Sequence, residues 1–182
     1  MKTLSIGCLS ERHLLLFGAI IQWFARYELL MQQIMAKVAG SDTAAIILLT
    51  AGLDFTGKRQ ALLDLMRHRA VPLDQYDRIY DYLTPPHTLT PLRNDIAHAA
   101  WIPGPVHDAI QPDWILRLPP SIKPWRSDAE GPSDKFIERD EDKNIYTLDD
   151  LGAVVETLAE NHALFLDYLR KSGLFPEVTV EN

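Results

Sequence analysis

The sequence predicts an all-α fold, a bundle of five to six helices with a small β-ribbon and loop insertion before the last helix. Three observations carry this. Apolar residues recur at spacings of three and four along two long segments near the ends of the chain. Helix start and stop signals bracket those segments. Prolines crowd a single stretch, at 103, 105, 112, 119, 120, 124 and 132, and so set one irregular region apart from the helical remainder.

From Ser10 to Val38, Leu14, Phe17, Ile21, Phe24, Met31, Ile34, Met35 and Val38 form one stripe, with Ser10 as N-cap and Gly40 as the stop. Glu28 falls on or beside this stripe, where a carboxylate needs a partner. It is expected to form a rim ion pair or to reach Arg93 or His98 across the core. Asp42–Thr50 follows as a short helix, capped by Ser41 or Asp42 and expected to be buried on most sides. After a turn from Gly52 to Gly57, a third helix over Lys58–Arg69 should point Leu62, Leu63, Leu65 and Met66 inward and its basic residues outward.

Pro72 breaks the chain, and Leu73–Leu83 reads as a fourth helix ended by Pro85 and Pro86, with His87 at the surface beyond it. Thr90 as N-cap and Pro91 at the first helical position open a fifth helix running to about Trp101. Residues 103–146 read as an insertion packed on the bundle. Asp113–Leu118 is a candidate strand, with Lys135–Arg139 or Asn144–Thr147 as its antiparallel partner and Pro119–Pro132 as a mobile loop. Thr147 caps the final helix, whose stripe of Leu151, Val154, Val155, Leu158, His162, Phe165, Leu166 and Leu169 runs to Lys171 before Gly173. A loosely held tail over 175–182 completes one domain spanning 1–182.

Composition narrows the function. Apolar residues make up 47% and charged residues 24% of the chain, which suits a folded globular protein rather than a disordered one. The lone Cys8 can form no internal bridge and suggests a reducing compartment. No signal peptide is recognisable, no run approaches the roughly 18 uninterrupted apolar residues of a membrane span, and the cytoplasm is the expected location. A net charge of −7 argues against a dedicated high-affinity nucleic-acid binder. It leaves room for a nuclease with a local basic groove, for which Lys58, Arg59 and the Arg67–Arg69 run are available.

Most catalytic classes lack their residues. Gly52 and Gly57-Lys58 resemble the start of a phosphate-binding loop, but Arg59 stands where a Ser or Thr would hold magnesium. The six histidines show no metal-ligand spacing, and no serine elbow exists. Neither a metal nor a cofactor is expected.

The chemistry concentrates in Leu92-Arg93-Asn94-Asp95-Ile96-Ala97-His98, where four polar residues border an apolar stripe of Leu92, Ile96 and Ala99. Asn94 and His98 share a helix face, while Arg93 and His98 diverge by about 140°. Both can point into one groove if a second helix or a second copy of the protein builds it. Asp95 reads as a helix-surface residue without a role. An arginine holds phosphate oxygens with two parallel donors, and a histidine moves protons near neutral pH.

This stretch resembles the signature of the HEPN superfamily, in which an arginine, usually followed by a polar residue, precedes a histidine by four to six intervening positions. The resemblance implies a metal-independent endoribonuclease that cleaves RNA by 2′-hydroxyl transesterification, with two motifs meeting across a homodimer. It assigns Arg93 as phosphate clamp, His98 as acid/base and Asn94 as their support. Toxin or defence roles belong to the family, so an antitoxin or regulatory protein is an expected partner. The alternative implied is a catalytically inactive HEPN-like module that binds proteins or nucleotides. Lys58, Arg59 and Glu28 are candidate substrate-binding residues from pattern alone.

Overall fold

The computed structural model of the chain describes residues 7–113 and 145–174. Six helices and one two-stranded sheet lie in these residues: α1 (Glu11–Ala39), α2 (Thr43–Thr50), α3 (Phe55–His68), α4 (Leu73–Thr88), α5 (Thr90–His98), β1 (Ala100–Pro103), β2 (Ile110–Asp113) and α6 (Leu148–Lys171). The protein is an all-α helical bundle carrying a small antiparallel ribbon. The candidate strand residues beyond Asp113, the segment 135–139, the loop 119–132 and the tail from 175 lie outside the described residues.

Helix α1 is the element on which the others pack, touching α2, α3, α5 and α6. Its start is fixed by a reciprocal cap in which Ser10 Oγ accepts from the His13 N–H and the Ser10 N–H donates to His13 Nδ1 at 3.2 Å. In the neutral ring this leaves the proton on Nε2, which donates to the Asp108 carbonyl at 3.2 Å and ties the helix to the β1–β2 loop. At the other end Gly40 adopts φ 67°, and Ser41 N–H reaches back to Ala36 O at 2.9 Å. Phe24, Tyr27, Met31 and Ile34 are almost wholly buried. By length and composition α1 is also apolar enough to cross a membrane, with a mean hydropathy of 1.4 over its best 18 residues. A core helix passes that same test, and here the helix carries the centre of the bundle.

Contacts along α1 fix the direction of its neighbours. Phe24, Glu28 and Ala39 meet Phe55, Lys58 and Arg69 in turn, so α3 runs with α1. Arg67 lies over Tyr76 and Arg59 over Tyr80, so α4 returns against α3. Helix α6 runs with α1, its Leu148 end beside Leu15 and Leu16 and its Phe165 beside Tyr27. Thr147 and Asp150 cap each other at its start, and Thr147 holds the Asp150 carboxyl below its ordinary pKa.

Five expectations are corrected. Helix α2 is not buried on most sides: Ile46 and Thr50 face inward, Gln32 Nε2 donates to Thr50 Oγ1 at 2.9 Å, and Leu48 and Leu49 are 77% and 78% exposed. An eight-residue helix with apolar residues at nearly every position must present some of them to solvent when it packs on a single neighbour. Helix α3 starts at Phe55, because Asp54 accepts from Gly57 N–H at 2.7 Å. A Cβ at Gly57 would crowd both Asp54 Oδ1 and Leu53.

Helix α4 passes through Pro85 and Pro86 to Thr88, and His87 is half-buried with its Nδ1 enclosed rather than at the surface. Pro86 removes the N–H that would bond the Tyr82 carbonyl, and Asn161 Nδ2 of α6 supplies a donor there at 2.8 Å. Thr90 is the first residue of α5 rather than its cap, with only Leu89 between the two helices.

The fifth correction concerns the end of α5. The helix stops at His98, and Ala100–Pro103 becomes β1, paired with β2 in the register Ala100 to Asp113 and Pro103 to Ile110. The ribbon therefore forms earlier than the sequence suggests, although Tyr146 does bridge to Ile110. Trp101 anchors it, packing on Phe17 with ring centres 4.7 Å apart and on Tyr146 at 6.1 Å, while Cys8 Sγ donates to its carbonyl. Gly104 closes the turn, where an added Cβ would stand 2.8 Å from that of Ala109.

Candidate functional site

Helix α5 is nine residues long and amphipathic, with Leu92 in the core and Ile96 packed against it. Its polar residues divide by depth. Asp95 is 1% exposed and engaged, so the expectation of a surface residue is wrong. A carboxylate this deep is retained only with partners, which makes Asp95 part of what holds α5 in place.

Arg93 and Asn94 are half-buried, and Arg93 Nη1 donates to Asn94 Oδ1 at 3.2 Å. That bond occupies the Asn94 carbonyl oxygen and leaves its amide N–H groups as donors. Arg93 Nε is enclosed and has no hydrogen-bond partner among the described residues. The guanidinium is thus oriented by its neighbour yet incompletely satisfied.

His98 is the last residue of α5 and is exposed, and among the described residues it makes no hydrogen bond or ion pair. The next residue, Ala99, turns to ψ 147° and donates to Asp95 O at 2.8 Å, so the chain swings into β1 immediately beyond the imidazole. No hydrogen bond joins His98 to Arg93 or Asn94 among the described residues, in keeping with the wide angle between Arg93 and His98 on the helix.

The other candidates do not assemble with this motif. Lys58 Nζ donates to Glu28 Oε2 at 2.5 Å, and the two side chains are only 10% and 20% exposed. They form the structural ion pair that the position of Glu28 on the stripe called for, and Glu28 is paired with Lys58 rather than with Arg93 or His98. Arg59, expected to face solvent, is 8% exposed and stacked on Tyr80, with its guanidinium carbon 4.6 Å from the ring centre. Tyr80 was not legible as its partner, since the two are 21 positions apart with no local pattern linking them.

Two further features lie outside α5. His162 sits between Trp23 and Tyr27, with ring centres at 5.1 and 5.3 Å. Burial, aided by the nearby Arg26 charge, holds its pKa below the ordinary value of 6.5. Tyr27 beside it is pushed up to about 12 by burial, against the opposing hydrogen bond from Asn161. An open groove of about 430 Å³ runs between the starts of α1 and α6, lined by Leu15, Leu16 and Leu148 together with Arg12, Asp149 and Glu156. No residue of α5 lines it. Among the described residues no group of three or more His, Cys, Asp or Glu is placed to hold a metal ion.

No protein-family model, no curated protein and no solved structure matches the chain.

Proposed function

We propose that the chain is a HEPN-type endoribonuclease that cuts RNA without a metal, at a composite site formed when two copies bring their α5 helices together. The observation that carries this reading is the division of labour along α5. Arg93 is oriented by Asn94 and incompletely satisfied, while His98 at the helix end is exposed and uncommitted.

In the reaction, one His98 takes the proton from a 2′-hydroxyl and the new alkoxide attacks the adjacent phosphorus. The bond from phosphorus to the 5′-oxygen breaks, and the partner's His98 gives that oxygen its proton. Arg93 pairs with the non-bridging oxygens as charge builds on them, and the Asn94 amide adds a neutral donor. The products are a 2′,3′-cyclic phosphate and a 5′-hydroxyl. Two copies supply the base and the acid together, which the single α5 histidine of one chain does not. A regulatory or antitoxin partner would act by covering the two α5 ends.

The second reading is a catalytically silent module of the same type, which the buried Asp95 and the Arg93–Asn94 bond also fit, because both serve helix packing. The test is incubation of the purified protein with structured and unstructured RNA in excess EDTA, with end-group analysis of the products and sedimentation of the protein. Cleavage leaving cyclic phosphate ends, by a species twice the chain mass, supports the enzyme. Intact RNA under every condition, or cleavage that EDTA abolishes, removes it.

A further inference from the structure

We propose that Arg59, stacked on Tyr80 at the start of α3, is a binding position for a phosphate group, separate from the α5 motif. Three arginines in the described residues lie over aromatic rings, and they differ in what completes them. Arg26 over Trp23 is exposed to water, and Arg67 over Tyr76 is exposed and paired with Asp64. Arg59 alone among these three is buried, at 8% exposure, and among the described residues it has neither a carboxylate nor a carbonyl acceptor. Its Nε is enclosed and without a partner among the described residues.

A guanidinium stays charged at every physiological pH, so burial without an acceptor is costly and cannot be relieved by deprotonation. Two carboxylates of this part of the bundle are already engaged. Glu28 is held by Lys58, and Asp54 accepts from the Gly57 N–H as the cap of α3. Glu28 is matched by Lys58, whereas Arg59 has no acceptor of its own among the described residues. An anion is what this corner lacks.

Two features favour phosphate as that anion. The Tyr80 ring holds the guanidinium plane in one orientation, so its fork of donors is ordered before a ligand arrives. Tyr80 is itself 43% exposed, which brings the stacked pair to the surface where a phosphate oxygen can approach. The same fork geometry suits a free phosphate or a phosphodiester in an RNA strand, and the two are separable by experiment. The position stands whether or not the protein cleaves RNA.

The test follows the side-chain Nε–H signal of Arg59 by NMR in the full-length wild-type protein, assigned from its own backbone, during titration with inorganic phosphate and, separately, with hexauridylate blocked by 2′-O-methyl groups so that it cannot be cleaved. Matched sodium chloride is the control for ionic strength. A saturable shift with both ligands assigns a general phosphate site. A shift with hexauridylate alone assigns it to a strand phosphodiester. Tyr80→Leu, which removes the stacking floor but keeps the charge, should weaken binding roughly tenfold, the worth of one largely desolvated cation–π contact. An Arg59 signal that neither ligand moves, or that chloride moves equally, overturns the proposal. Because no cleavage is read, inactivity as a nuclease leaves the result interpretable.

Discussion

The Asn161 side chain donates to the Tyr82 carbonyl at 2.8 Å, the acceptor that Pro86 deprives of its helical N–H. The same amide nitrogen lies 2.7 Å from Tyr27 Oη, whose hydroxyl donates onward to Leu158 O at 3.2 Å. One residue of α6 thus completes a defect in α4 and ties both to α1. Asn161→Ala should leave the Tyr82 carbonyl short of a donor and cost about 1–3 kcal/mol, read as a lower denaturation midpoint at unchanged slope. A loss below about 0.5 kcal/mol, the usual range for surface changes, would mean that water replaces the amide without penalty.

The Glu28–Lys58 pair should behave as a structural bridge rather than as substrate-binding groups. Glu28→Gln strands a nearly buried ammonium and is expected to cost roughly 2–4 kcal/mol, below the limit for full burial because Glu28 keeps some exposure. Glu28→Gln combined with Lys58→Met should recover much of that loss. A double-mutant cycle in chemical denaturation measures it, and strict additivity would contradict the pairing.

Protonation of His162 opposes folding. Its folded pKa lies below the ordinary value of 6.5 because burial disfavours the charged ring, so the unfolded chain binds the proton more readily. Stability is therefore full above pH 6.5 and falls as the pH drops towards the folded pKa, by up to about 1.4 kcal/mol per pH unit for one proton. Stability curves at pH 7.5 and 5.5 check this, and His162→Gln should flatten the difference. A wild type that gains stability on acidification over that range would refute the sign.

The exposed leucines of α2 contribute little to the monomer's fold. Leu48→Gln and Leu49→Gln should each change stability by less than about 0.5 kcal/mol, whereas Phe24→Ala, which empties a core position, should cost about 3–5 kcal/mol. Thermal melts of the three variants decide the contrast. A large loss from either glutamine variant would show that α2 is covered in solution.

The helix ends were readable where the signal is local. Ser10, Gly40, Thr147 and Gly173 cap or stop their helices through residues no more than a few positions away. What was not readable depends on distant partners. Pro85 and Pro86 look like a helix end until Asn161, some 75 positions later, repairs the Tyr82 carbonyl. Lys58 and Arg59 look like a solvated face until Glu28 and Tyr80 enclose them. Trp101 fits a helix by composition, and only its packing on Phe17 and the pairing of Ala100–Pro103 with Ile110–Asp113 draw it into a strand. In the motif itself the divergence of Arg93 and His98 follows from helical geometry alone, but the burial of Asp95 does not.

The most direct test of the central claim is the rate of RNA cleavage in EDTA by wild type, Arg93→Ala and His98→Ala, each first shown to be folded by circular dichroism and by an unchanged oligomeric state. His98 is exposed at the end of α5, so its replacement should leave the fold intact. The account expects each variant to fall by at least about a hundredfold, the usual contribution of a positioned proton-transfer or phosphate-binding group. A His98→Ala protein that cleaves as fast as wild type would contradict it.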